Sequence, residues 1–188
     1  MLFITDKMNN WDSIDYEKLN ERSAELLPIL SNIADLIKEQ DVLDVAAGGG
    51  VFAAELSKYA KTVIAIDQSE SAIKVMRKIL ADYKNIKIVK SVVESISLPN
   101  KSVDVVFIAN ALHDIGLQSI TKLNSLIRDG GYFIDLDWDK EAEGVIYGPP
   151  ISIRLSASSV TSTVEEKGLK LIDKYYYKSH YLLIYKKE

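Results

Sequence analysis

An α/β fold built on a doubly wound, largely parallel sheet is predicted by three observations. Residues 42–52, VLDVAAGGGVF, read as a strand, a turn of small residues and the start of a helix. Short apolar runs then alternate with helical patterns through residue 136. Residues 169–187 close the chain with alternating Tyr and Lys, the period of a hairpin with one wet face. The chain has 188 residues, 47% hydrophobic and 27% charged, which suits one compact domain with a full core.

Each element has its own warrant. Residues 1–10 read as a loose arm. From Trp11 to Leu27 the chain is polar with apolar spacing, and Pro28 interrupts it. Residues 29–39 place Ile29, Ile33, Leu36 and Ile37 on one helical face. The first strand follows at residues 42–45 and the next helix at 51–60, with Phe52, Leu56 and Tyr59 near helical spacing. Residues 62–67, TVIAID, are apolar enough for a buried parallel strand. Ser69 is a plausible N-cap for a helix running to residue 80. Strands are expected at 86–93 and 102–109. A helix over 119–127 should stop at Arg128-Asp129-Gly130-Gly131, before a fifth strand from Tyr132 to Leu136. Residues 144–156 are a long loop containing Pro149-Pro150. Ser156 to Lys167 is a helix with Gly168 as its stop, and two strands joined near Lys178-Ser179 finish the chain.

Charge and composition exclude several functions. The net charge of −4 does not favour nucleic acid or an anionic membrane. Lys74, Arg77 and Lys78 are read as a solvated helix face, and the Tyr/Lys hairpin as strand alternation rather than a platform for single-stranded RNA. The absence of cysteine removes disulfides and thiolate metal sites, and two histidines leave little for a metal centre, so no metal is expected. MLFITDKMNN has neither a long apolar core nor a basic leader, so it is not read as a signal peptide. No run approaches the roughly 20 apolar residues of a bilayer span. A cytoplasmic protein without membrane insertion is the expectation, and its oligomeric state, a homodimer included, is left open.

The chemistry concentrates at strand ends. Strand, small-residue turn and helix present backbone N–H groups at a helix N-terminus, and small side chains let a ligand approach the main chain. Gly48-x-Gly50-x-x-Ala53 satisfies a loose dinucleotide fingerprint. Asp44-x-Ala46-x-Gly48-x-Gly50 also resembles motif I of the class I, seven-strand methyltransferases that use S-adenosylmethionine (SAM). Ala46 replaces the first glycine usual in that family and would fit poorly where φ is positive. Three further segments resemble the same family in the same order. They are Glu94-Ser95-Ile96-Ser97-Leu98-Pro99, the run from Val103 to His113, and LIRDGGYFI. The resemblance extends over residues 41–186 and is to type 11 methyltransferases, the group that includes ubiquinone and menaquinone methylases.

The resemblance implies a Rossmann-like sheet of order 3-2-1-4-5-7-6, strand 7 antiparallel, with helices on both faces. It implies a lid over residues 1–40 and a SAM-binding domain over 41–188. SAM would contact Asp44, Ala46, Ala47, Gly48 and Gly50. Asp67, with Gln68, would hold the ribose through charge-assisted bonds of about 1.5–3 kcal/mol each. Glu94 and Ser95 would meet the adenine, and Asn110 and Ala111 the methionine portion. His113 and Asp114, just beyond, are candidate catalytic bases, with a structural His as the other reading of His113. Trp11, Tyr16, Trp138, Tyr147 and Arg154 are candidates to touch the acceptor, against ordinary packing. The implied reaction, of class EC 2.1.1, is in-line displacement that yields S-adenosylhomocysteine and a methylated acceptor, a small molecule. A nicotinamide-dependent (NAD(P)) oxidoreductase and a non-catalytic SAM-binding protein stand as the alternatives.

Overall fold

The structure, a computed structural model, describes residues 10–142 and 148–188. The expected loose arm over 1–10 lies outside the described residues except for Asn10. The amino-terminal segment is more broken than its sequence pattern suggests. A 3₁₀ turn at Trp11–Ser13 precedes helix α1, Tyr16–Ser23, whose N-cap Asp15 accepts from the Lys18 N–H at 3.0 Å. The chain then continues as 3₁₀ helix over Ala24–Asn32, with Pro28 inside it, and ends in the single turn α2, Ala34–Ile37. Proline interrupts the α-helical hydrogen-bond ladder without ending the segment.

From there strands and helices alternate: β1 Asp41–Val45, α3 Val51–Leu56, β2 Thr62–Asp67, α4 Glu70–Ile79, β3 Ile86–Lys90, β4 Val103–Ala109, α5 Leu112–Ile115, α6 Ser119–Leu126, β5 Ile127–Trp138, α7 Ala157–Glu166, β6 Leu169–Tyr177 and β7 His180–Lys187. One seven-stranded sheet results, in the order β3-β2-β1-β4-β5-β7-β6, with β7 antiparallel to both neighbours. The expected fold class is the observed one. Ser69 and Ser156 cap α4 and α7, each accepting a backbone N–H at 3.2 Å. The sheet is buried on both faces. Ile29, Ile33, Phe52, Leu56, Ile73 and Met76 cover one side, and Leu112, Ile120, Leu123, Val160 and Val164 the other.

Two boundaries depart from expectation. Residues 127–131 belong to β5 rather than to a helix stop. Gly130 and Gly131 instead absorb a shift in register between β4 and β5, and a Cβ at Gly131 would collide with the Asp104 carbonyl oxygen. The third strand ends at Lys90, and Glu94 falls in a 3₁₀ turn, Val93–Ser95. Because β1 lies between β2 and β4, the sheet's topological switch falls at the ends of β1 and β4. Turns from all the parallel strands converge above it.

Candidate active site

A cavity of about 1010 Å³ opens over the carboxyl ends of β1, β2, β4 and β5. That is the upper end of the range for small-molecule sites. Its floor is the turn after β1. Ala46 and Gly48 both lie in the left-handed region, at φ 54° and 55°. The turn's donors are turned inward. The Ala47 N–H donates to the Ile66 carbonyl at 2.8 Å, the Gly48 N–H to Asp67 Oδ2 at 2.9 Å and the Gly50 N–H to the Ala47 carbonyl at 2.9 Å. The expected row of free N–H groups is therefore largely spent within the protein. What the turn offers is close approach. Tyr16 lies over Gly48, and the Asn20 amide donates to the Gly49 carbonyl at 3.1 Å.

Two acids stand at this floor. Asp67 ends β2, is 7% exposed, and receives the Gly48 and Ser69 N–H groups on its two oxygens, both at 2.9 Å. Burial raises its pKa, and the N–H bonds only partly offset that. Asp44, inside β1, is 1% exposed, and its Oδ2 has no hydrogen-bond partner. Burial first, and the charge of Asp67 second, hold this carboxyl well above the usual range. Across the cavity Asn110 follows β4 at φ 55°, and its buried Oδ1 also has no partner.

At the far end sits His113, on α5. Its Nδ1 lies 2.8 and 3.0 Å from the two oxygens of Asp137, near the end of β5. Asp137 also accepts the His113 backbone N–H at 3.2 Å and the Trp138 N–H at 2.7 Å. The other ring nitrogen, Nε2, is 3.5 Å from Asp114 Oδ2. Burial alone would pull the imidazole's pKa down, but the hydrogen bond and charge of Asp137, with Asp114 beyond, leave it raised. His180, at the start of β7, packs against the Trp138 ring with centroids 4.1 Å apart. Its pKa is depressed to about 4, chiefly by burial, so it is neutral at physiological pH. Burial and then the neighbouring carboxylates push the Tyr16 phenol up to about 12.

The family model described as a methyltransferase domain, type 11, matches residues 43–135, close to half of the chain. A SAM-dependent methyltransferase from Aquifex aeolicus superimposes with a TM-score of 0.80 at 25% identity, over 91% of this chain and 95% of that one. This chain carries a class I, type 11 methyltransferase domain. Phosphoethanolamine N-methyltransferase 3 of Arabidopsis thaliana is 36% identical over 101 residues, covering 45% of this chain. The chain spans only 21% of the length of that curated relative. The [4+2]-cyclase SpnF shares the fold, with a TM-score of 0.76 at 12% identity, over 89% of this chain and 81% of that one.

The described residues singled out from sequence fall into three groups. Asp44, Ala46, Ala47, Gly48, Asp67 and Gln68 line the cavity at the β1–β2 side. Glu94, Asn110, Ala111, His113 and Asp114 line its other walls, with Trp11, Tyr16 and Trp138. Gly50, Ser95 and Arg154 do not reach the wall. Gly50, at φ 88°, packs against Met76 and Leu80 of the α4 segment, so its lack of a side chain serves the turn. Arg154 is 4% exposed, lies over the Trp138 ring at 5.0 Å, and donates from Nε to the Pro149 carbonyl at 2.8 Å. It braces the loop behind Trp138. Tyr147 lies outside the described residues. Asn20, Ser179 and His180 also line the cavity. None carries a local motif, because an arm and a hairpin turn bring them there from distant parts of the sequence.

Proposed function

We propose that this chain transfers the methyl group of SAM to a small acceptor that gives up a proton as it is methylated. The observation that carries the reading is the pair of unpartnered buried acceptors, Asp44 Oδ2 and Asn110 Oδ1, on the wall of a cavity above β1 and β4. A buried acid beside a second acid calls for a cation. SAM, when bound, supplies an ammonium, a sulfonium and the electrophilic methyl on that sulfonium. Asp67 keeps lone pairs for both ribose hydroxyls after accepting its two N–H groups. Glu94 would meet the adenine. The same features weigh against a dinucleotide. Its pyrophosphate would meet two carboxylates and find three of the turn's N–H donors already taken.

At the acceptor end His113 takes the proton. Asp137 accepts from Nδ1–H, which leaves the lone pair of the neutral ring on Nε2, and Asp137 then stabilises the imidazolium. Placement of donor and acceptor and exclusion of water supply most of the rate, about 7–11 kcal/mol from proximity alone. The Arabidopsis relative makes phosphoethanolamine the first acceptor to assay. Binding of S-adenosylhomocysteine by calorimetry tests the cofactor site. Asp67→Ala should weaken it about tenfold or more, the equivalent of one charge-assisted bond. Gly48→Val should abolish it, since a branched side chain at positive φ fills the approach to the main chain. Wild-type affinity in both folded variants would contradict the reading.

A further inference from the structure

Residues 11–26 form an arm along the cavity, and the carboxylate of Asp12 ties its start to the head of α4. Asp12 Oδ1 accepts the Glu70 N–H at 2.8 Å, the Ser69 hydroxyl at 2.8 Å and the Ser71 N–H at 3.4 Å. It occupies the N-terminus of α4, where free N–H groups and the helix dipole favour an anion. The Ser71 hydroxyl adds a bond back to the Asp12 carbonyl at 3.1 Å. Ser69 is shared between two carboxylates: its hydroxyl donates to Asp12 while its N–H donates to Asp67 Oδ1 at 2.9 Å. One residue thus separates the arm's anchor from the acid assigned to the ribose.

The arm's other polar ties differ in place. Glu17 pairs with Lys78 at 2.7 Å, further along α4, and Asn20 reaches the Gly49 carbonyl. Of the arm's side-chain ties, that of Asp12 meets the segment that carries Asp67, beside a longer contact of the Ser69 hydroxyl with the Trp11 carbonyl at 3.3 Å. Trp11, Ile14 and Tyr16, which flank it, form part of the cavity wall. A nucleoside lying between this arm and the tips of β1 and β2 must displace the arm to leave. Resting on the reading of the cavity as a SAM site, we infer that Asp12 is a positioning residue. It couples closure of the amino-terminal arm to the ribose-binding loop through Ser69, and its release sets how fast the nucleoside product departs. Asp12 is exposed, so its removal leaves the Glu70 and Ser71 N–H groups to water rather than orphaned in a core. Ser69 still caps α4 in its absence, so the variant stays folded and the effect is read in kinetics.

Stopped-flow measurement of S-adenosylhomocysteine association and dissociation tests this on the full chain. Asp12→Ala should raise the dissociation rate about tenfold, the scale of a lost helix cap, while the association rate is unchanged or higher. Asp12→Asn, whose amide oxygen still accepts, should restore part of the difference. Hydrogen exchange at the Glu70 and Ser71 amides should accelerate in Asp12→Ala, while the melting temperature stays near wild type. A dissociation rate in both variants equal to that of a wild-type protein that does bind S-adenosylhomocysteine overturns the coupling and leaves the cofactor site standing. A wild-type protein that binds none overturns the cofactor reading, and the coupling with it.

Discussion

His113 is held between two carboxylates, and this fixes both its tautomer and its working range. Asp137 takes Nδ1–H, and Asp114 lies on the Nε2 side. Because the imidazole's pKa is raised above 6.5, a base role demands that the rate climb with pH through a value above 6.5. Alanine at this position should lower the chemical step by roughly 10²–10⁴-fold with SAM affinity unchanged, measured by single turnover beside calorimetry. A rate that is unaltered would remove the base role. His113 and Asp114 were legible as a pair following the fourth strand. Their setting was less so, because the bond to Asp137 depends on β4 and β5 ending at the same level. Ala46 is the other instructive residue. Its φ of 54° is one an L-residue adopts only at a penalty of about 1 kcal/mol. The sequence departs from its family at this position, yet the backbone keeps the conformation that glycine would take freely.

Among the elements, the closing hairpin does more than finish the sheet. Lys178 at φ 53° and Ser179 form its two-residue turn. This places His180 opposite Trp138 and against the cavity. A histidine buried neutral contributes a definite pH dependence. Its folded pKa of about 4 is below the unfolded value of 6.5, so its contribution is complete above pH 6.5 and is lost as pH falls toward 4. The loss should approach 3 kcal/mol, roughly, at about 1.4 kcal/mol per pH unit. His113 is protonated in both states below 6.5, so it adds nothing to this window. Between pH 6.5 and 4 the urea midpoint should fall further in wild type than in His180→Gln, since the raised carboxyls of Asp44, Asp67 and Asp114 act with the opposite sign in both. An unchanged slope in that variant would assign the acid sensitivity to other groups. The hairpin was readable from period-two alternation, the start of α4 from Ser69 and the end of α7 from Gly168. The start of β5 was not. Gly130-Gly131 is equally the mark of a helix stop and of a bulge, and only the register with β4 separates the two. The anchor of the arm was hidden for a similar reason. Asp12 is one acid in a polar stretch, and its partner Glu70 lies 58 residues away.

At the scale of the whole molecule, the switch between β1 and β4 explains why one cavity collects motifs spread from residue 44 to residue 114. Each parallel strand ends at the same edge, so an acid or an amide at a strand tip arrives at a shared floor. The cavity's remaining walls come from what the parallel core does not supply, an arm on one side and an antiparallel hairpin on the other. This division tracks what sequence could disclose. Strand-tip residues announce themselves by position, whereas wall residues depend on how separate elements dock.

The most direct test of the account is a crystal structure with S-adenosylhomocysteine. The expected result is density lying across the tips of β1 and β2, with both ribose hydroxyls within hydrogen-bond distance of Asp67 and the amino group near Asp44 and Asn110. A nucleoside seated elsewhere, or an Asp67 carboxylate still committed wholly to Gly48 and Ser69 with the sugar out of reach, would contradict it.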